Sequence, residues 1–218
     1  MKSTVRVVAT TFGIVVALAG LEHGLGEILQ GNVPPPALVF ESWPESAFLE
    51  ILSGEPAMSV IPNLLIAGLI TVFLSLVLIA WSVAGMKTSY GGAGLILLSI
   101  LLLLAGGGLG PPLMLLVVGM AATRIHRPVA WWRRRSQDGA PPLLARQWRT
   151  LLVASLVGYL ALLPGIPIGE QLFGPLSAGI VVAVIIFSFV TFFLAIISAL
   201  VTDSFYGLER SDTIAMSL

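Results

Sequence analysis

Apolar and polar positions divide this chain into long apolar runs separated by short polar breaks. One run covers residues 7–29 behind Lys2 and Arg6, a second covers 61–85, and two more cover 150–168 and 176–201. Each is close to or above the ~20 apolar residues with which an α-helix crosses a hydrocarbon core of ~30 Å. A fifth stretch, Gly94 to Ala122, behaves differently. As a single helix its roughly 29 residues would be ~43 Å long. It is broken by Gly106-Gly107-Gly108-Leu109-Gly110-Pro111-Pro112, and inside a helix each Gly costs ~1 kcal/mol and each Pro ~3 kcal/mol. The pattern predicts two half-helices of about a dozen residues meeting at the break. The expected fold is all-α: a single membrane domain, 1–218, with four spanning helices plus a re-entrant or short helical hairpin at 93–123.

Between the first two runs lies a polar loop, residues 31–60. Asn32 and Pro34-Pro35-Pro36 predict stiff extended chain at its start. Ser42-Trp43-Pro44-Glu45 reads as a helix start and Gly54 as its stop. Ala47, Phe48, Ile51 and Leu52 would share one face, and with Trp43 beside them this short helix would lie flat on the membrane surface. Further on, the run at 150–168 is interrupted near Pro164-Gly165-Ile166-Pro167, and Gly169 to Pro175 reads as a tight turn holding Glu170. Residues 1–19 also carry secretory-signal features, with Ala17-Leu18-Ala19 ahead of Gly20. A transmembrane helix of ~23 residues is the preferred reading.

Composition supports the membrane assignment: 57% of residues are hydrophobic and 10% charged, against roughly 25% charged in soluble domains. Cys is absent, which removes disulfides, thiolate catalysis and Cys-ligated metals. The net charge is zero but segregated. No Lys or Arg occurs between Arg6 and Lys87, whereas Glu22, Glu27, Glu41, Glu45, Glu50 and Glu55 fall in that interval. Basic residues concentrate in the loop 124–149, with Arg124, Arg127, Arg133, Arg134, Arg135, Arg146 and Arg149. The positive-inside rule places this loop, Lys87 and both termini in the cytoplasm of a bacterial inner membrane. Lys87 and Arg124 then share a side, so the segment between them must enter and return.

Three groups of residues could carry chemistry. Glu22, His23 and Glu27 lie near the far end of the first helix. His23 and Glu27 share a face and Glu22 is turned by about 100°. One His and two carboxylates suit a proton relay or a divalent ion, and intramembrane ionisable groups are functional candidates by default. The bland alternative is a helix end entering headgroups, with Glu and His solvated or hydrogen-bonded for structure. The second group is the break itself, Gly106, Gly107, Gly108, Gly110, Pro111 and Pro112, which either lines a cavity with backbone dipoles or only permits a turn. The third is Trp131, Trp132, Arg133, Arg134 and Arg135, which suit anionic lipid headgroups at the cytoplasmic face. A nucleic-acid partner is excluded by the short, tethered loop. His126, Asp203, Glu209 and Asp212 read as solvated, and Tyr159, Ser155, Ser188 and Thr191 as bonding carbonyls one turn back. No catalytic residue, cofactor or metal signature is recognised.

Leu21-Glu22-His23-Gly24-Leu25-Gly26-Glu27, Glu41-Ser42-Trp43-Pro44 and Gly106-Gly107-Gly108-Leu109-Gly110-Pro111-Pro112 together resemble a group of uncharacterised bacterial polytopic membrane proteins. The resemblance covers most of the chain and implies no activity. The leading expectation is a non-enzymatic channel- or transporter-like protein for a small solute or ion, with the break lining a cavity. The alternative is an accessory or scaffold subunit packing against partners or lipid, and a homo-oligomer fits either. A lipid-directed enzyme using Glu22, His23 and Glu27 is a third.

Overall fold

The computed structural model describes residues 3–44, 54–125 and 143–215, with side chains as far as Tyr206. The expected surface helix over 45–53, His126 and the Trp131–Arg135 cluster lie outside the described residues, as do the side chains of Glu209 and Asp212. The chain forms two compact units: Ala9–Thr123, and Met1–Val8 with Arg124–Leu218.

The protein is an all-α bundle. Four helical stretches among the described residues are long and apolar enough to cross a membrane: Thr4–Gln30, Leu64–Lys87, Trp148–Phe173 and Ala178–Tyr206. In the first unit, α1 (Thr4–Gln30) is followed by a two-stranded hairpin, β1 (Val39–Glu41) and β2 (Pro56–Met58). Then come α2 (Leu64–Ala84), α3 (Gly91–Ala105) and α4 (Gly110–Ala122). Asn63 caps α2, its side chain accepting from the Ile66 N–H at 3.0 Å.

Helices α1 and α2 run antiparallel and touch through small residues. A Cβ on Gly68 would stand 2.5 Å from the Gly24 carbonyl oxygen, so backbone meets backbone at that crossing, as small residues permit in membranes. At the far end of α2 the Trp81 indole N–H donates to the Gly91 carbonyl at 3.0 Å, which fixes the start of α3. The helices α3 and α4 have 15 and 13 residues, or ~22 and ~20 Å. They pack against each other as the short hairpin that the glycine break foretold, with the Ser99 hydroxyl donating to the Pro112 carbonyl.

The strands were not anticipated. They pair antiparallel with Phe40 opposite Ala57, and these two residues bury with Leu64 in a small apolar cluster. Three-residue strands are too short to show a period of two in sequence.

In the second unit, α5 (Leu143–Arg146) and α6 (Trp148–Leu160) lead through a wide π turn at Ala161–Gly165 into α7 (Ile166–Phe173). The π turn absorbs Pro164, so the expected interruption does not end the helix. The turn comes later than predicted. Gly169 and Glu170 are helical, the chain reverses at Gly174 with φ +81°, and the Glu170 carboxylate accepts from the Leu176 N–H at 3.1 Å. The final helix, α8 (Ala178–Ala215), also runs well beyond the expected end at Val201.

Asp203 is therefore not a solvated tail residue. Its carboxylate accepts from the Thr4 N–H at 2.6 Å, the Val5 N–H at 3.0 Å and the Ser3 hydroxyl. It caps the free amides at the start of α1 from a residue 199 positions away, where a negative group also meets the positive end of the helix dipole. Removing such a cap costs about 1–2 kcal/mol. Asp203→Ala is expected to lower the thermal midpoint of the detergent-solubilised protein measurably, and Asp203→Asn by less; an unchanged midpoint in both would mean that the cap contributes nothing.

Candidate functional site

The last two turns of α1 place His23 and Glu27 one above the other, and both are buried, at 3% and 0% exposure. Glu22, about 100° around the helix, is half-buried. Neither His23 nor Glu27 is therefore solvated, while the structural hydrogen bond of the bland alternative is present at His23. What covers them is the loop between α1 and α2, docked on the glycine break.

The docking follows from backbone accounting. A break between helices strands carbonyls at the end of one and amides at the start of the next. Here the loop supplies partners. The Ser59 hydroxyl donates to the Ala105 carbonyl at 3.0 Å. The Val60 N–H donates to the Leu104 carbonyl, and the Leu109 N–H to the Pro56 carbonyl, each at 3.0 Å.

The same loop carries Ser42 and Glu55 inward. Their backbones continue the hairpin ladder, with the Ser42 N–H donating to the Glu55 carbonyl at 3.1 Å and the Trp43 N–H to the Gly54 carbonyl at 3.0 Å. Gly54 and Glu55 both adopt left-handed backbone, φ +61° and +54°. For Glu55 that conformation costs about 1–3 kcal/mol and persists only where the surroundings dictate it.

Around His23 the groups converge. Its Nδ1 lies 2.7 Å from the Ser42 hydroxyl. Its Nε2 lies 3.4 Å from a Glu55 carboxylate oxygen and 4.0 Å from one of Glu22. The imidazole nitrogen and one oxygen from each of the two carboxylates lie within 4.8 Å of one another.

Glu27 points instead at the break. A Cβ on Gly106 would fall 1.9 Å from Glu27 Oε1, and a Cβ on Gly108 2.4 Å from His23 Nε2. Both glycines also have positive φ, +126° and +82°, so a side chain is unwelcome there on conformational grounds too. Both Glu27 carboxylate oxygens are buried without a hydrogen-bond partner.

The structure thus regroups what the sequence separated. His23 and Glu27 belong with Gly106 and Gly108 as one assembly. Glu22 and His23 have Glu55 as their third partner, in place of Glu27. Gly107 packs against the Leu102 side chain, Gly110 faces open space, and Pro111 and Pro112 begin α4. Sequence reasoning missed Glu55 and Ser42. The signal present was a loop with several acids and no base; which acid turns inward is decided by hairpin pairing.

Below this assembly, three hydroxyls of α2, Thr71, Ser75 and Ser82, are buried with no hydrogen-bond partner. Helical hydroxyls normally bond the carbonyl one turn back, as expected for Ser188 and Thr191 and as seen there, each at 2.7 Å. The three on α2 do not, and at least two of them face α1, Ser75 beside Gly20 and Ser82 beside Gly13.

No family model, curated protein or solved structure matches this chain.

Gly106→Ala and Gly108→Ala are each expected to destabilise by about 2 kcal/mol or more, since conformational strain adds to collision with Glu27 or His23. Gly110→Ala should be nearly neutral. Thermal unfolding of the three purified variants in detergent checks this, and equal effects at all three positions would contradict the packing.

Proposed function

We propose that this multi-pass membrane protein is a transporter-type carrier of a small cation or proton, with Glu27 as the binding group. The observation that carries the reading is the state of Glu27: wholly buried on a membrane-length helix, neither oxygen hydrogen-bonded, and no Lys or Arg anywhere between Arg6 and Lys87 to balance it. An isolated carboxylate in an apolar setting calls for a proton or a cation. A group that exchanges one for the other is the minimum equipment of an ion carrier.

Two further features support it. The unpartnered hydroxyls of Thr71, Ser75 and Ser82 continue from the site along α2 and offer successive oxygen ligands or water contacts. Gly106, Gly107 and Gly108 are buried under the loop, which fits a gated path better than an open pore. In this reading α3 and α4 form a re-entrant hairpin whose tip meets the loop on the extracytoplasmic side of a bacterial plasma membrane. Both termini and the 124–149 loop lie inside, where Trp131, Trp132 and Arg133–Arg135 suit anionic lipid headgroups by residue type. A homo-oligomer is compatible with this arrangement.

The test is flux into proteoliposomes. Purified protein is reconstituted with an entrapped pH dye, and Na+, K+ or H+ gradients are imposed in turn. Wild type should dissipate at least one gradient; Glu27→Gln should slow this by about tenfold or more, and Glu41→Gln, an exposed loop acid, should not. Absence of flux for every ion, or flux indifferent to Glu27→Gln, would remove the carrier reading and leave the accessory-subunit alternative.

A further inference from the structure

We infer that Glu22, His23 and Glu55 form a binding site for a divalent first-row metal ion that clamps the Gly54–Glu55 end of the loop onto α1. The three ligands are other residues than the carrier reading's Glu27, and the site does not depend on Glu27 moving an ion.

The donor set comes first. One imidazole nitrogen and two carboxylates, with no cysteine in the chain, suit ions such as Zn2+ or Mn2+. Bonds of ~2.0–2.2 Å put neighbouring ligand atoms of a tetrahedral or octahedral site roughly 3.0–3.6 Å apart. His23 Nε2 already stands 3.4 Å from Glu55 and 4.0 Å from Glu22. Small rotations of two carboxylate ends would complete the set around one ion.

Orientation of the imidazole comes second. Ligating histidines are ordinarily held through their other nitrogen by a hydrogen bond. Ser42 does this for His23, at 2.7 Å on Nδ1, and Ser42 is itself wholly buried. Nε2 is thereby directed between the two carboxylates.

Charge is the third argument, and it is independent of the ligand geometry. Two carboxylates converge on one imidazole under a loop where the sequence supplies no Lys or Arg. One turn further along the same helix face, Glu27 adds a third carboxylate whose oxygens are buried and unpartnered. It abuts Gly106, while His23 abuts Gly108 of the same short turn. A dipositive ion at His23 compensates this concentration of acid. The left-handed backbone at Glu55 has the same explanation, since it delivers the carboxylate that closes the site.

The experiment uses the full chain in detergent, stripped with a chelator and titrated with Zn2+ and, separately, Mn2+. Wild type should bind one ion per chain with a saturating rise in thermal midpoint, because a ligand specific to the folded state stabilises it. This readout needs no variant. Glu55→Gln, nearly isosteric, should abolish both the stoichiometric binding and the rise. His23→Ala should do the same, and Ser42→Ala should weaken binding ~10–100-fold, the usual loss for an orienting partner. Glu41→Gln, at an exposed position of the loop, should still bind one ion. No stoichiometric binding of either ion by wild type, or equal binding by Glu55→Gln, would overturn the inference.

Discussion

Backbone amides and carbonyls released by a broken helix have to find partners, and in an apolar setting water does not provide them. That constraint organises the first unit of this protein. The break at Gly106–Leu109 separates two helices too short to span on their own. Its stranded groups at Leu104, Ala105 and Leu109 are met by Val60, Ser59 and Pro56. The loop is consequently an integral cover of the hairpin tip, and its short β-ladder is what presents those partners at the right spacing.

The site is a by-product of this docking. Once the loop is seated, β1 and β2 carry Ser42 and Glu55 to the end of α1, where His23 already faces inward. The glycines serve two needs at once. Positive φ at 106 and 108 lets the chain reverse tightly, and the missing side chains leave the volume that Glu27 and His23 fill. Sequence, turn geometry and side-chain placement thus coincide at the same two positions. The carboxylates accumulate where the chain has no base, so electrostatic balance must come from protons or from ions. Both functional readings above rest on that condition, one through Glu27 and the other through Glu22, His23 and Glu55.

Much of the fold was legible in the sequence because apolar length and the Gly/Pro break speak directly to membrane helices. The helices α1, α2, α6–α7 and α8 and the 93–123 hairpin all followed from run lengths. Errors arose where local signals compete with continuation. Pro164 looked like an interruption of a run ending near Ile168, yet a π turn accommodates it and the helix persists to Phe173. Asp203 looked like the start of a tail, yet α8 continues and makes it a cap. At the site, the shared helical face of His23 and Glu27 was readable from their spacing. The pairing of His23 with Ser42 and Glu55 was not, since contacts across 19 and 32 residues depend on hairpin register, which three-residue strands do not announce.

The Asp203 cap bears on the order in which the protein can be made. Chain leaves the ribosome from its N-terminus, so α1 must enter the bilayer long before residue 203 exists. Until then the amides of Thr4 and Val5 have only water, headgroups or the insertion machinery to bond. The start of α1 is thus finished only after α8 has been made, and residues 3–5 can be fastened to Asp203 only then. Quality control that senses an unfastened α1 would in effect be reading whether α8 has arrived.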